Sequence, residues 1–164
     1  MHDAPTAIGS FDPAEADLLG VIFFDAVRKG AAGFYDAEQR VAWAPSPPSG
    51  PIWAARLAAQ RTVVARDAER PVGFMALADD GYIDLAFVDT VHQRRGVGTL
   101  LYAQIEAWAR EARIERLSAE ASLMIRGLFE QQGWTIVQEQ RINRAGVTLT
   151  NFLMEKRLPG SVPV

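Results

Sequence analysis

The sequence predicts one α/β domain over residues 1–164, nearer to α+β than to repeated βαβ units. Three observations lead there. Apolar residues recur at helical spacing in the first third of the chain and again after residue 96, and alternate at period two over 62–88 and 134–156. Short polar turns join the strand-like runs, so neighbouring strands run antiparallel. With 164 residues the chain can bury a sizeable core, and two domains are not needed.

The elements follow in order. Asp12-Pro13-Ala14-Glu15 is a helix start, with Asp as N-cap and Pro in the first turn. Leu18, Leu19, Ile22, Phe23, Ala26 and Val27 keep the helical period up to Gly30. A second helix covers 36–43, the proline-rich stretch 45–51 is a loop, and helix returns over 53–59. Strands over 62–66, 72–77 and 82–88 make a meander, turned at 67–70 and 79–81. Val97, Leu100, Leu101, Ile105 and Trp108 then line one face of a helix, with Glu106 and Arg110 paired at i,i+4 on its wet side. A strand over 117–121, a helix over 124–132 stopped by Gly133, and a hairpin of 134–142 with 147–156 complete the chain. The core is expected over 10–157, with 158–164 a flexible tail.

Composition excludes several classes. Seventeen basic and twenty acidic residues give a net charge of −3, without the basic excess of a nucleic-acid binder. There is no cysteine, so disulfides, thiolate nucleophiles and sulfur-ligated metals are excluded, and a reducing cytoplasm fits. With only His2 and His92, no histidine-rich metal site is expected. Residues 1–5 lack a basic signal-peptide start, and the longest apolar run, near 18–24, falls far short of the ~20 residues that span a bilayer. No membrane or nucleic-acid partner is expected, and the chain is expected to act as a monomer or homodimer.

The stretch His92-Gln-Arg-Arg-Gly-Val-Gly-Thr99 carries most of the chemistry. It follows a strand and opens a helix. Helix N-termini present free N–H groups and about half a positive charge, so they bind phosphates. Gly96 and Gly98 allow close backbone approach, and Arg94 and Arg95 add charge. A tight strand-to-helix connection with solvated arginines is the competing reading. A dinucleotide fingerprint fails because Leu101 stands where its third glycine belongs, and a Walker loop lacks its Gly-Lys-Ser/Thr.

Gln93-Arg94-Arg95-Gly96-Val97-Gly98 resembles the Q/R-x-x-G-x-G/A signature of the GNAT superfamily of acetyl-CoA-dependent N-acetyltransferases. The preceding strand ending Ala86-Phe87-Val88-Asp89, the amphipathic helix after it and the element order over 10–157 resemble that family too. Phe34-Tyr35, Gln39, Ala42-Trp43-Ala44-Pro45, Trp53 and Arg56-Leu57 are similar to a bacterial branch of small GNAT proteins of loosely defined substrate. The resemblance implies a mixed, mostly antiparallel central sheet flanked by helices, with strands 82–88 and 117–121 splayed apart. It implies acetyl-CoA as co-substrate, no metal, and a pantetheine arm lying in the gap against the Phe87–Val88 backbone. Gln93 to Gly98 and Thr99 would cradle the pyrophosphate.

The chain departs from the family where an Asn and a Tyr often serve the cofactor arm and the departing thiolate. Ser122 and Phe129 stand at those positions. Ser122 can still donate a hydrogen bond; Phe129 cannot donate a proton. A thiol of pKa about 8.5 leaves tolerably as an anion, whereas an amine of pKa about 10.4 is neutral in only about 1 in 2,500 molecules at pH 7. A base is therefore the more necessary group. Asp84, Tyr82 and Glu120 are the candidates, Tyr82 and Asp84 being expected on one strand face. Asp84 has an alternative role as a cap or an ion-pair partner of an arginine, and Glu120 as a solvated carboxylate. On the acceptor side Tyr35, Trp43 and Trp53, with Phe34, are expected around the pocket, core packing being the alternative. The expected function is acetyl transfer to the primary amine of a small molecule or protein by direct attack. The rival is an acyl-CoA-binding regulatory domain without transfer.

Overall fold

In the computed structural model, which describes residues 6–159, the first strand comes earlier than the sequence pattern shows. β1 (Ala7–Ser10) pairs antiparallel with β2 (Arg61–Asp67). Next come α1 (Ala16–Asp25), α2 (Ala37–Trp43) and α3 (Gly50–Ala58). β2, β3 (Arg70–Leu77) and β4 (Ile83–Val88) form the expected meander. After the glycine turn come α4 (Val97–Glu111), β5 (Arg116–Ser122), α5 (Arg126–Gln131), β6 (Thr135–Arg144) and β7 (Val147–Arg157).

Local chemistry sets the helix ends. Asp12 accepts a hydrogen bond from the Ala14 N–H, and Pro13 opens a 3₁₀ turn ahead of α1. Asp36 and Gln39 form a reciprocal capping box at α2. α3 starts inside the expected proline-rich loop, because Pro51 near its N-terminus suits a helix's first turn. α5 is shorter than the periodicity predicts, since 122–125 form a turn in which Ser122 Oγ accepts the Ile125 N–H at 3.3 Å. The expected tail also begins later. Leu158 is buried and its N–H donates to the Glu115 carbonyl at 2.8 Å. The rest of that tail beyond 159, and the 1–5 segment, lie outside the described residues.

Two antiparallel sheets result, β1-β2-β3-β4 and β5-β7-β6. A single parallel bridge, Tyr82 to Ser118, joins them, supported by the Ser118 N–H donating to the Gly81 carbonyl at 3.0 Å. Beyond it β4 and β5 diverge, which is the splayed pair the sequence resemblance implied. One core layer packs α4 residues Leu101, Tyr102 and Ile105 against Val63, Met75 and Ile83. The other packs α1 and α3 residues Leu19, Trp53 and Leu57 against Val64, Phe74, Leu85 and Phe87. Helices thus cover both faces of the first sheet.

Gly81 sits at the divide. Its φ is +93°, and an added Cβ would collide with the Arg116 carbonyl oxygen and come within 2.9 Å of Ile114. Gly81→Ala is therefore expected to destabilise the fold by about 1–3 kcal/mol, combining left-handed strain with overpacking. Gly33→Ala, with open space around it and no positive φ, should stay within about 0.5 kcal/mol of the parent. Urea unfolding midpoints of the two variants check this; equal midpoints would contradict it.

Candidate active site

Two cavities meet at the divergence of β4 and β5. The first, of about 400 Å³, lies at the glycine turn and is lined by Gln93, Arg94, Gly96, Gly98 and Thr99 from the turn and by Val88, Ile125 and Leu128. The second, of about 310 Å³, lies deeper and is lined by Tyr82, Asp84, Glu120, Ser122, Phe129 and Asn151 among others. Ala86 and Ile125 line both, so the two adjoin through the gap.

The turn is built for an anion. Gly96 adopts φ +82° at the N-cap of α4, and Arg94 also has a left-handed φ of 63°. Such alternation turns successive N–H groups toward one side and forms an anion-binding concavity. Among the described residues, no acidic side chain lines this cavity. Gln93 donates to the Val88 carbonyl at 3.0 Å and holds the turn against the end of β4. Arg95 is exposed, while Val97, expected at the cofactor, is buried in the core and offers only its backbone. Phe34 lines this cavity rather than the deeper one.

Each residue predicted for the deeper site has a definite place. β3 and β4 slip register so that Ala76 pairs with Leu85 and Leu77 with Ile83. Asp84 is the extra residue of this β-bulge, and bulges re-aim side chains. Its carboxylate turns to α3, accepting Arg56 Nε at 2.8 Å, Arg56 Nη2 at 2.9 Å and Gln60 Nε2 at 2.9 Å. Burial acts to raise the Asp84 pKa, but the hydrogen bonds from Arg56 and Gln60 and the guanidinium charge outweigh it and hold it below the usual value. Asp84 thus fits the arginine-partner role that the sequence left open. Tyr82 stands just before β4 at the bridge, half-buried. Burial pushes its phenol pKa up, and the Glu120 and Asp84 carboxylates add to the shift, so it stays a hydrogen-bond donor at neutral pH. Glu120 is exposed and makes no ion pair among the described residues.

Tyr35 and Trp43 line the deeper cavity, while Trp53 does not. Trp53 is buried beneath it, its indole N–H donating to the Ala16 carbonyl at 2.7 Å, and so has the core-packing role. The Tyr35 hydroxyl donates to the Thr150 carbonyl at 2.6 Å and accepts the Leu123 N–H at 2.9 Å, tying the α2 region to β7 and to the end of β5. Phe129 is buried, stacked on Trp134 with centroids 4.4 Å apart. Val88 and Phe87 follow each other on β4, Phe87 in the aromatic layer with Phe23, Trp43 and Phe74.

Sequence reasoning missed Gln60, Asn151 and Arg144, and did not assign Arg56 a role. Asn151 had a local signal, a polar residue of a strand-averse type in the middle of a strand. The partnership of Arg56 and Gln60 with Asp84 had none, because it depends on the bulge.

The comparisons identify the family and the fold. A family model described as the acetyltransferase (GNAT) domain matches residues 49–158. The chain is 33% identical over 147 residues to the N-acetyltransferase YafP of Escherichia coli K12, covering 90% of this chain and 93% of YafP. A GCN5-related N-acetyltransferase structure from Rhodopseudomonas palustris superposes with a TM-score of 0.88 at 30% identity, covering 96% of this chain and 99% of the other. The YncA acetyltransferase of Salmonella typhimurium, solved with acetyl-CoA, shares the fold with a TM-score of 0.69 at 18% identity, over 98% of each chain. The fold and site define an acyl-transfer enzyme with a split sheet. The chain belongs to the GNAT acetyltransferase family and is an acetyl-CoA-dependent acetyltransferase.

His92 gives this site a pH signature. It lines the turn cavity, with Nδ1 2.8 Å from Asp89 and Nε2 3.1 Å from Asp67. Burial acts to lower its pKa, but the two carboxylates outweigh burial and raise it. A raised folded-state value means that the stabilisation is full below the unfolded value of about 6.5 and is lost as pH climbs through the raised value. The stability difference between the parent and His92→Gln should therefore be largest near pH 6 and shrink toward pH 8.5. Denaturation series across that range check it, and a difference that grows with pH would contradict it.

Proposed function

We propose that the chain, as a single domain in the cytoplasm, transfers the acetyl group of acetyl-CoA to a primary amine by direct attack, without a metal. The observation that carries this reading is the pair of adjoining cavities at the β4–β5 gap, one suited to a pyrophosphate and the other lined by carboxylates and aromatics. Acetyl-CoA supplies the activated acetyl group as a thioester. The acceptor ammonium first gives up one proton; the neutral nitrogen then forms a bond to the acetyl carbon, the carbon–sulfur bond breaks, the thiolate leaves, and the nitrogen loses its second proton to the thiolate or to water.

The chain's own residues divide that work. Gln93, Arg94, Arg95, Gly96, Gly98 and Thr99, with the Val97 backbone, hold the pyrophosphate by hydrogen bonds and by the positive end of α4. The β4 edge at Phe87 and Val88 meets the pantetheine amides, with the Val88 carbonyl already accepting from Gln93 and the Val88 N–H left to donate. Ser122 keeps a hydroxyl donor for the arm, and Phe129 walls the gap. Glu120 takes the amine's proton, directly or through water. Asp84, held by Arg56 and Gln60, is a weakened base whose charge Arg56 offsets, so it shapes the cavity wall while Glu120 meets the amine. Tyr82, kept protonated, donates a hydrogen bond at the mouth of the cavity. Direct attack is favoured because there is no cysteine and the one described histidine is engaged with two carboxylates.

The test is a kinetic and binding comparison. Glu120→Gln is expected to lower kcat/KM for an amine acceptor by about 10²–10⁴-fold, the range for general base catalysis. Phe129→Tyr should change turnover by less than about tenfold, since a thiol of pKa about 8.5 already leaves tolerably as an anion. A hundredfold gain from Phe129→Tyr with no loss from Glu120→Gln would overturn these roles. In calorimetry, Gly98→Asp should weaken CoA binding by at least about tenfold, or 1.4 kcal/mol, by setting a carboxylate against phosphate. Unchanged CoA affinity in that variant would remove the cradle.

A further inference from the structure

The deeper cavity holds four charged side chains. Two of them, Arg56 and Asp84, neutralise each other at 2.8 Å. The other two, Glu120 and Arg144, make no ion pair among the described residues. A third polar group is unspent. Asn151 is 8% exposed, lines the same cavity, and its Oδ1 is buried without a hydrogen-bond partner. A buried unpaired amide oxygen is costly, so its place in a cavity points to a ligand that supplies a donor.

The strand register orders these groups. Glu120 lies opposite Leu153, Ser122 opposite Asn151, and Arg144 opposite Val147. Asn151 therefore falls between the carboxylate and the guanidinium along β7. Leu153 and Val147 are six residues apart, about 20 Å of strand at ~3.3 Å per residue. Glu120 and Arg144 both line the one cavity and are exposed, so their long side chains are free to lean toward each other across that span. Phe23, Trp43, Ile142 and Leu149 supply apolar wall. At about 310 Å³ the cavity is at the small end of ligand sites, about 300–1,000 Å³.

We propose that the acceptor is a zwitterion: a primary amine joined through an apolar spacer of several atoms to a carboxylate. The amine sits at Glu120 and gives an N–H to Asn151, and the carboxylate takes the Arg144 fork. A simple amine leaves Arg144 unmatched. An α-amino acid carries both charges on one carbon and is too short to reach both ends. The proposal rests on the transfer reading above and names its acceptor class.

The experiment uses the full chain and three probes: 6-aminohexanoate, hexylamine and glycine. With acetyl-CoA present, 6-aminohexanoate is expected to exceed each of the others by at least about tenfold in kcat/KM, the loss of one charge-assisted contact. Arg144→Ala should bring the ratio of 6-aminohexanoate to hexylamine close to one through KM, and Arg144→Lys should restore part of it. Hexylamine or glycine matching 6-aminohexanoate, or Arg144→Ala leaving the ratio intact, overturns the proposal. Calorimetry of the same probes with the CoA-loaded protein needs no turnover and decides the acceptor class by itself. Preferential binding of 6-aminohexanoate without acetylation would fault the transfer reading and keep the acceptor class. Failure of 6-aminohexanoate to bind more tightly than hexylamine would fault the acceptor class alone.

Discussion

After the bridge between Tyr82 and Ser118, the β4 and β5 backbones stop sharing hydrogen bonds, and the rest of the site follows from that separation. A buried strand edge without partners is unfavourable, because backbone N–H and C=O groups need hydrogen bonds. Here the edge faces a cavity on each side of the divide, where an extended amide-bearing ligand can complete the sheet. The split needs a pivot. Gly81 supplies it by letting the chain pass against the Arg116 carbonyl.

The two core layers hold the gap open from opposite sides. α4 is anchored across β2 and β3 by Leu101, Tyr102 and Ile105, which aims its N-terminus at the turn cavity. Glu106 reinforces the same helix. It accepts from Tyr102 at 2.5 Å, from Arg110 at 2.7 Å and from Lys156 of β7 at 3.1 Å, so one carboxylate ties α4 to the second sheet. On the other side, the aromatic layer of Phe23, Trp53, Phe74 and Phe87 fixes the β4 face that borders the deeper cavity. The acceptor end draws on both units, since Ile83, Ala119 and Phe129 of the first and Leu85 and Phe87 of the second line the deeper cavity.

How much of this the sequence shows depends on how local the physics is. The glycine turn, its helix and the strand before it were legible, because left-handed backbone, free N–H groups and amphipathic period all lie within a short stretch. The strand meander and closing hairpin were legible for the same reason. β1 was not, since Ala7–Ser10 is four residues with a glycine and no apolar alternation, and it forms only by pairing with β2. The partnership of Asp84 with Arg56 needed a bulge that shifts one side chain toward a helix 28 residues earlier in the chain. Trp53 read equally well as pocket or core; its indole bond to Ala16 decides for the core. Asn151 stands out in the sequence only as a polar residue inside a strand; that it is buried and faces a cavity is set by the packing around it.

The central claim is that the free edge of β4 receives the acetyl donor in the gap. Hydrogen exchange of the full chain with and without acetyl-CoA tests it most directly, because β4 amides that lack a strand partner exchange fast until a ligand pairs with them. The account predicts that acetyl-CoA slows exchange in Ile83–Val88 and at the start of α4, while the outer strand β6 is unaffected. Saturating acetyl-CoA with unchanged exchange across β4 would contradict it.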